Sequence, residues 1–92
     1  MISKLANISK DASLGKNVSI DSFSTVFENV TIGDGTRIHP NVTIYPGTTI
    51  GKNCEVFPGA VIGVTPQDLK FDGEETSVEI GDNTSIREGV TI

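Results

Sequence analysis

Large aliphatic side chains recur every sixth residue along this 92-residue chain. Counted from Ile2 in steps of six, fourteen of sixteen positions are Ile, Leu or Val; Asp68 and Glu74 are the exceptions. An α-helix cannot use that spacing, because six residues turn a 3.6-residue helix through about 240° beyond a full turn and no single stripe forms. A strand alternates its faces every two residues, so a six-residue unit fits a short strand followed by a corner. Four residues beyond each large aliphatic stands a small or β-branched side chain, among them Ala12, Val18, Ser24, Val30, Thr36 and Cys54. One large and one small inward side chain per unit suit a narrow tube.

Three residues beyond the aliphatic position the chain carries Asp11, Asn17, Asn29, Gly35, Asn41, Gly47, Asn53, Gly59, Asn83 and Gly89. Asn, Asp and Gly reach positive φ at little cost, which is what a corner repeated every six residues demands. Leu5 and Phe23 break this rule, and Phe23 is expected to mark a corner of different geometry. A longer period lies above the six. Leu14-Gly15-Lys16-Asn17, Ile32-Gly33-Asp34-Gly35 and Ile50-Gly51-Lys52-Asn53 follow one another at eighteen residues. Three strands therefore close one triangular coil, and coils stacked at about 4.8 Å satisfy each other's backbone groups as parallel strands do. The next member is due at 68 but stands at Ile80-Gly81-Asp82-Asn83, so about twelve residues are inserted between Ile62 and Ile80. The expectation is a single all-β domain over 1–92: a three-faced parallel β-helix of about four and a half coils, with one inserted loop at about 64–77.

Composition sharpens this picture. Four Phe, one Tyr and no Trp are too few aromatics for a thick globular core. The net charge of −5 is spread without a basic block, which argues against nucleic-acid binding. Cys54 is the only cysteine; it excludes an intrachain disulfide, offers no metal motif, and reads as a small buried hydrophobe. Met1-Ile2-Ser3-Lys4 lacks the apolar run of a signal peptide, and no stretch reaches 18 apolar residues, so no membrane span and a cytoplasmic location are expected. Asn-x-Ser/Thr at Asn7, Asn17, Asn29, Asn41 and Asn83 is generated by the repeat itself and is read as corner geometry rather than glycosylation. The Ile-Gly pairs imitate phosphate-loop glycines, but no helix pattern follows them.

The insertion is the strongest pointer to function. A solenoid gains no core from such an excursion, and loops leaving a rigid scaffold commonly carry binding groups. In Pro66-Gln67-Asp68-Leu69-Lys70-Phe71 the apolar Leu69 and Phe71 need a surface to cover, while Asp68 and Lys70 alternate with them. Asp68 would accept sugar hydroxyl or amide protons, and Lys70 would meet an anion. The alternative is a solvated loop with ordinary charges.

The run Pro66-Gln67-Asp68-Leu69-Lys70-Phe71-Asp72-Gly73-Glu74-Glu75-Thr76, followed by Val78-Glu79-Ile80-Gly81-Asp82-Asn83 and by Ile86-Arg87-Glu88-Gly89-Val90-Thr91-Ile92, closely resembles the UDP-N-acetylglucosamine O-acyltransferases that open lipid A synthesis. The opening Leu5-Ala6-Asn7-Ile8 does so too. The resemblance implies a left-handed coil, an acyl carrier protein as donor, UDP-N-acetylglucosamine as acceptor, transfer of a 3-hydroxyacyl chain to the sugar 3-hydroxyl, a homotrimer with its site between subunits, and no cofactor. It further implies that Asp68 contacts the acceptor sugar and that Gln67 and Lys70 lie beside it. The family's general base is a histidine in a later coil, which would deprotonate the sugar hydroxyl for attack on the thioester, with backbone N–H groups holding the oxyanion. His39, the only histidine, follows Ile38, points outward at a corner and aligns with no catalytic position; no catalytic residue is therefore assigned, and the 92 residues alone are expected to be inactive. One histidine also cannot build the multi-histidine zinc site of carbonic anhydrases sharing the fold. Two other readings remain: another hexapeptide transferase acting on nucleotide sugars, and a non-catalytic β-solenoid assembly module, since a cut solenoid exposes strand edge and core.

Overall fold

The computed structural model describes residues 1–63 and 77–92, an all-strand structure. Its strands are β1 (Asn7–Ile8), β2 (Ser13–Leu14), β3 (Ser19–Ile20), β4 (Thr25–Val26), β5 (Thr31–Ile32), β6 (Arg37–Ile38), β7 (Thr43–Ile44), β8 (Thr48–Ile50), β9 (Glu55–Val56), β10 (Val61–Ile62), β11 (Val78–Ile80) and β12 (Ser85–Ile86). The brevity follows from the six-residue unit, which leaves room for little more than one outward and one inward residue before the next corner. Thr25–Val26, Thr43–Ile44 and Arg37–Ile38 each end on a buried residue.

The strands form three parallel sheets, in the orders β1-β4-β7-β10, β2-β5-β8-β11 and β3-β6-β9-β12. Register shows the coil directly. Asn7 pairs with Thr25, Ser19 with Arg37 and Thr31 with Thr49, each eighteen residues on. Beyond Ile62 the offset becomes thirty: Ile50 pairs with Ile80, Val56 with Ile86, and Val61 bridges Thr91. All three faces thus resume in phase after twelve additional residues. Leu14, Ile32, Ile50 and Ile80 stand in one column, as the periodicity requires.

The core is the stack of those columns. Ile20, Ile32, Ile38, Ile44, Ile50 and Ile62 are all fully buried, each stabilising the fold by about 1.5–3 kcal/mol relative to exposure. The small inward positions hold Val18, Val30, Val42 and Ala60, and also Ser24, Thr36 and Thr48. A hydroxyl inside the tube is costly unless bonded, and each of these is. Ser24 Oγ donates to the His39 carbonyl at 2.7 Å and accepts from the Val42 N–H at 3.1 Å. Thr36 Oγ1 donates to the Gly51 carbonyl at 2.7 Å and accepts from the Cys54 N–H at 3.1 Å. Thr48 Oγ1 donates to the Tyr45 carbonyl at 2.8 Å. Cys54 is buried as the sequence implied, and its thiol also takes the place of such a hydroxyl, donating to the Gly81 carbonyl at 3.1 Å.

Corners carry positive φ at Asn17, Asn29, Asn41, Asn53 and Asn83 and at five glycines. His39-Pro40-Asn41, Tyr45-Pro46-Gly47 and Phe57-Pro58-Gly59 place proline second and the positive-φ residue third, the preference of a type II turn. Two expectations need correction. Phe23 has φ 64°, the same left-handed conformation as the asparagines rather than a different geometry. Asp11 is not in that conformation, and neither is Leu5. At both, a serine two residues earlier supplies the turn: Ser9 Oγ accepts the Asp11 N–H and Ser3 Oγ the Leu5 N–H, each at 3.1 Å.

Candidate functional site

The structure fixes where the inserted residues leave and rejoin the scaffold. Exit is at Gly63, whose N–H donates to the Ile92 carbonyl at 2.9 Å. Re-entry is at Val78, whose N–H donates to the Gly47 carbonyl at 3.0 Å and which pairs with Thr48. Val78 thus rests on a corner of the coil below, Tyr45-Pro46-Gly47-Thr48, and Gly63 lies close over the same corner. Gly63 has φ 99°, and a Cβ there would meet Thr48 Oγ1 at 2.6 Å and Tyr45 Cβ at 3.1 Å. Glycine is thus required twice at the exit, for its conformation and for its closeness to the corner beneath.

Below the exit, Tyr45 stacks on Phe27 with ring centroids 5.0 Å apart and planes 27° from parallel. Both rings stand outward at successive levels of the corner from which the insertion springs. A stacked aromatic pair at such a place gives a rigid flank that can carry a planar or apolar group. The spacing of eighteen residues between Phe27 and Tyr45 was a signal for this pair in the sequence, and the reading of inward columns alone passed over it.

A second outward column lies on another corner. His39 stacks on Phe57 with centroids 4.9 Å apart and planes 11° from parallel, and the Arg87 guanidinium carbon sits 4.4 Å from the Phe57 ring centre. His39 Nε2 lies 2.7 Å from Glu55 Oε2. The histidine does point outward at a corner, but it is engaged on its face by a ring and on its edge by a carboxylate. Both contacts fix its orientation on the scaffold. The offsets from His39 to Phe57 and from Phe57 to Arg87 are those of successive coils, eighteen and thirty, so this ladder was legible too.

The expected acceptor-binding residues Gln67, Asp68 and Lys70 lie outside the described residues, with Leu69 and Phe71. Among the described residues there is no group of three or more His, Cys, Asp or Glu side chains placed to hold a metal ion. No described helix is long and apolar enough to cross a membrane.

Comparison with known proteins gives a consistent set. The model of the bacterial transferase hexapeptide family (six repeats) matches residues 29–63. A curated acyl-[acyl-carrier-protein]–UDP-N-acetylglucosamine O-acyltransferase of Aquifex aeolicus is 74% identical over 27 residues, 29% of this chain and 10% of that protein. Among solved structures, a UDP-N-acetylglucosamine acyltransferase from Bacteroides fragilis superposes on the whole chain with a TM-score of 0.91 and 54% identity. Its counterpart from Acinetobacter baumannii covers 98% of the chain with a TM-score of 0.89 and 41% identity. The chain spans 36% and 35% of the length of those two. Likeness of this order over the full chain carries the hand of the coil with it, and the β-helix is left-handed.

Proposed function

We propose, on the premise that this chain belongs to the UDP-N-acetylglucosamine O-acyltransferase family of hexapeptide-repeat proteins, that it supplies the acceptor-holding part of an enzyme moving a 3-hydroxyacyl chain from acyl carrier protein to the sugar 3-hydroxyl of UDP-N-acetylglucosamine, the first step of lipid A synthesis. The enzyme would be a cytoplasmic homotrimer. The observation that carries this reading is the match over the whole of this chain, though over 36% of the relative, at 54% identity, together with twelve extra residues at one corner of an otherwise unbroken register. A relative that shared only the repeat would share the coil and not the insertion.

Roles follow from side-chain chemistry. Asp68 accepts hydrogen bonds from the sugar, Lys70 meets anionic charge of the nucleotide diphosphate, and Gln67 offers both a donor and an acceptor beside them. The Phe27–Tyr45 pair stiffens the root of the insertion. The resemblance implies that the proton acceptor for the attacking hydroxyl is a histidine of a later coil, and His39, the sole histidine of this sequence, aligns with no catalytic position.

Calorimetric titration with UDP-N-acetylglucosamine tests the reading. The chain is expected to bind, and Asp68→Ala to bind at least tenfold more weakly, in line with about 1.5–3 kcal/mol for a hydrogen bond to a charged group. Equal affinity of the two proteins would refute the assignment of Asp68.

A further inference from the structure

In the first coil, lysine stands two residues beyond the large aliphatic at every corner: Lys4, Lys10 and Lys16. One coil up, the same positions hold Ser22, Glu28 and Asp34. The lysines are six residues apart, so they form no block along the chain; the coil brings one to each of its three corners. All three are exposed, and none enters an ion pair among the described residues. Residues 1–18 carry these three cations against Asp11 alone, a net +2, while residues 19–92 carry four cations against eleven acids, a net −7. The charge of this coil thus opposes that of the chain as a whole.

The same coil leaves apolar surface bare. β1 and β2 are outermost in their sheets, and Ile2 bridges Ile20 outside β3 in the third. In the columns above, Ile20, Ile32 and Ile38 are no more than 1% exposed, whereas Leu14 is 36%, Ile2 42% and Met1 91% exposed. Apolar surface ringed by cations suits an anionic lipid surface, where the apolar groups enter the headgroup boundary and the ammonium groups meet the phosphates. Geometry favours a bilayer over other polyanions. Three corners of one coil define a plane across the solenoid axis, and a broad, flat surface meets all three lysines together. Their flexible stems let the charge reach past the edge of the coil. Nucleic acid recruits arginine forks and aromatic stacking, and residues 1–18 hold neither Arg nor an aromatic.

We propose that the first coil is a docking face for a bilayer containing anionic phospholipid, with Met1, Ile2 and Leu14 at the acyl boundary and Lys4, Lys10 and Lys16 on the headgroups. The insertion leaves the solenoid at Gly63, three coils away, so this face is separate from the acceptor-holding residues and does not rest on their assignment.

Co-sedimentation with extruded vesicles tests this on the chain, using phosphatidylcholine alone and phosphatidylcholine mixed equally with phosphatidylglycerol. At about 0.1 M salt the chain is expected to bind the anionic vesicles about tenfold or more tighter than the neutral ones. The triple variant Lys4→Gln, Lys10→Gln, Lys16→Gln loses that preference and melts where the original does, since all three side chains are exposed. Lys52→Gln binds within about twofold of the original, because Lys52 stands two coils, roughly 10 Å, above Lys16. Ile2→Ser weakens binding with the lysines intact. Salt gives a second reading on the unaltered chain: about 1 M shortens the screening length from about 10 Å to about 3 Å and releases it. Equal binding to the two kinds of vesicle, or binding to neither, would overturn the proposal. So would a triple variant that keeps the preference, a Lys52→Gln variant that loses as much as the triple one, or an Ile2→Ser variant that binds as tightly as the original. Tighter binding to duplex DNA than to anionic vesicles at equal phosphate concentration would overturn it in favour of a nucleic-acid face.

Discussion

Gly33 sits where two coils approach most closely, and replacing it with alanine measures how little slack the stack has. A Cβ on Gly33 would lie 2.6 Å from the Gly51 carbonyl carbon, 2.7 Å from its oxygen and 2.8 Å from the Lys52 nitrogen. All three are backbone atoms, so no rotamer change relieves the clash. Ordinary carbon contacts are about 3.5–4.0 Å, so the coils must part locally by roughly an ångström. The Gly33 N–H donates to the Ile50 carbonyl at 2.7 Å, and stretching it that far takes it beyond the useful range of about 3.2 Å. Losing one hydrogen bond costs about 1 kcal/mol, and overpacking adds about 1–3 kcal/mol. The expected loss is therefore about 2–4 kcal/mol, a large share of the roughly 5–14 kcal/mol that a domain of this length possesses. Gly81 is the matched control. It occupies the same column two coils on, and a Cβ there meets nothing within 4 Å. Gly81→Ala is expected to be neutral or to stabilise by about 0.4–1 kcal/mol through the unfolded chain. Urea unfolding followed by circular dichroism reads both, and with a slope near 1 kcal/mol per molar the Gly33→Ala midpoint falls by about 2–4 M. A Gly33→Ala midpoint equal to that of Gly81→Ala would refute close coil contact as the reason for the Ile-Gly pairs.

Two further substitutions probe the inward hydroxyls and the corners. Thr36→Val keeps the shape of the side chain but leaves the Gly51 carbonyl and the Cys54 N–H without the partner they share; a loss of about 1–3 kcal/mol is expected in the same urea assay, and an unchanged midpoint would show that the hydroxyl contributes nothing. At Asn53, φ is 54°, so Asn53→Ala is expected to cost about 1–2 kcal/mol while Asn53→Gly is close to neutral. The two variants melting at the same temperature would contradict the assignment of this position to conformation.

The coil was legible because every level of the sequence states it. The inward columns, the positive-φ corners and the resumption at Ile80 each follow from the six-residue period alone, and Ile32–Ile50–Ile80 pair as that period requires. What the period could not convey was the exception. Phe23 looks like a broken corner by residue type, yet it takes the same backbone conformation as Asn41 above it. Asp11 looks like a standard corner, yet the serine at Ser9 satisfies the turn with a side-chain oxygen and removes the need for positive φ. The outward stacks Phe27–Tyr45 and His39–Phe57–Arg87 were written at coil spacing, but polar and aromatic surface residues show no periodic composition to flag them. The hand of the coil was never in the period, and a left-handed coil runs against the general right-handed preference of parallel crossovers; it came from resemblance. The candidate site was named from the insertion, and Gln67, Asp68 and Lys70 remain assigned by chemistry and resemblance.

The way the insertion is anchored decides how its substitutions can be interpreted. Gly63 and Val78 are bonded to the carbonyls of Ile92 and Gly47, which belong to the scaffold and not to the residues between. The columns resume in phase on all three faces, so the strands on either side of the insertion pair directly with one another. In a solenoid each coil answers mainly to its neighbours, and the scaffold is therefore expected to melt on its own strand pairing. A substitution at Asp68 should leave the cooperative melt of the coil where it was. Loss of sugar-nucleotide binding in Asp68→Ala with an unchanged melt then reports on recognition itself, whereas a shifted melt would mean that Asp68 supports the coil and that the insertion is not the independent binding element its register implies.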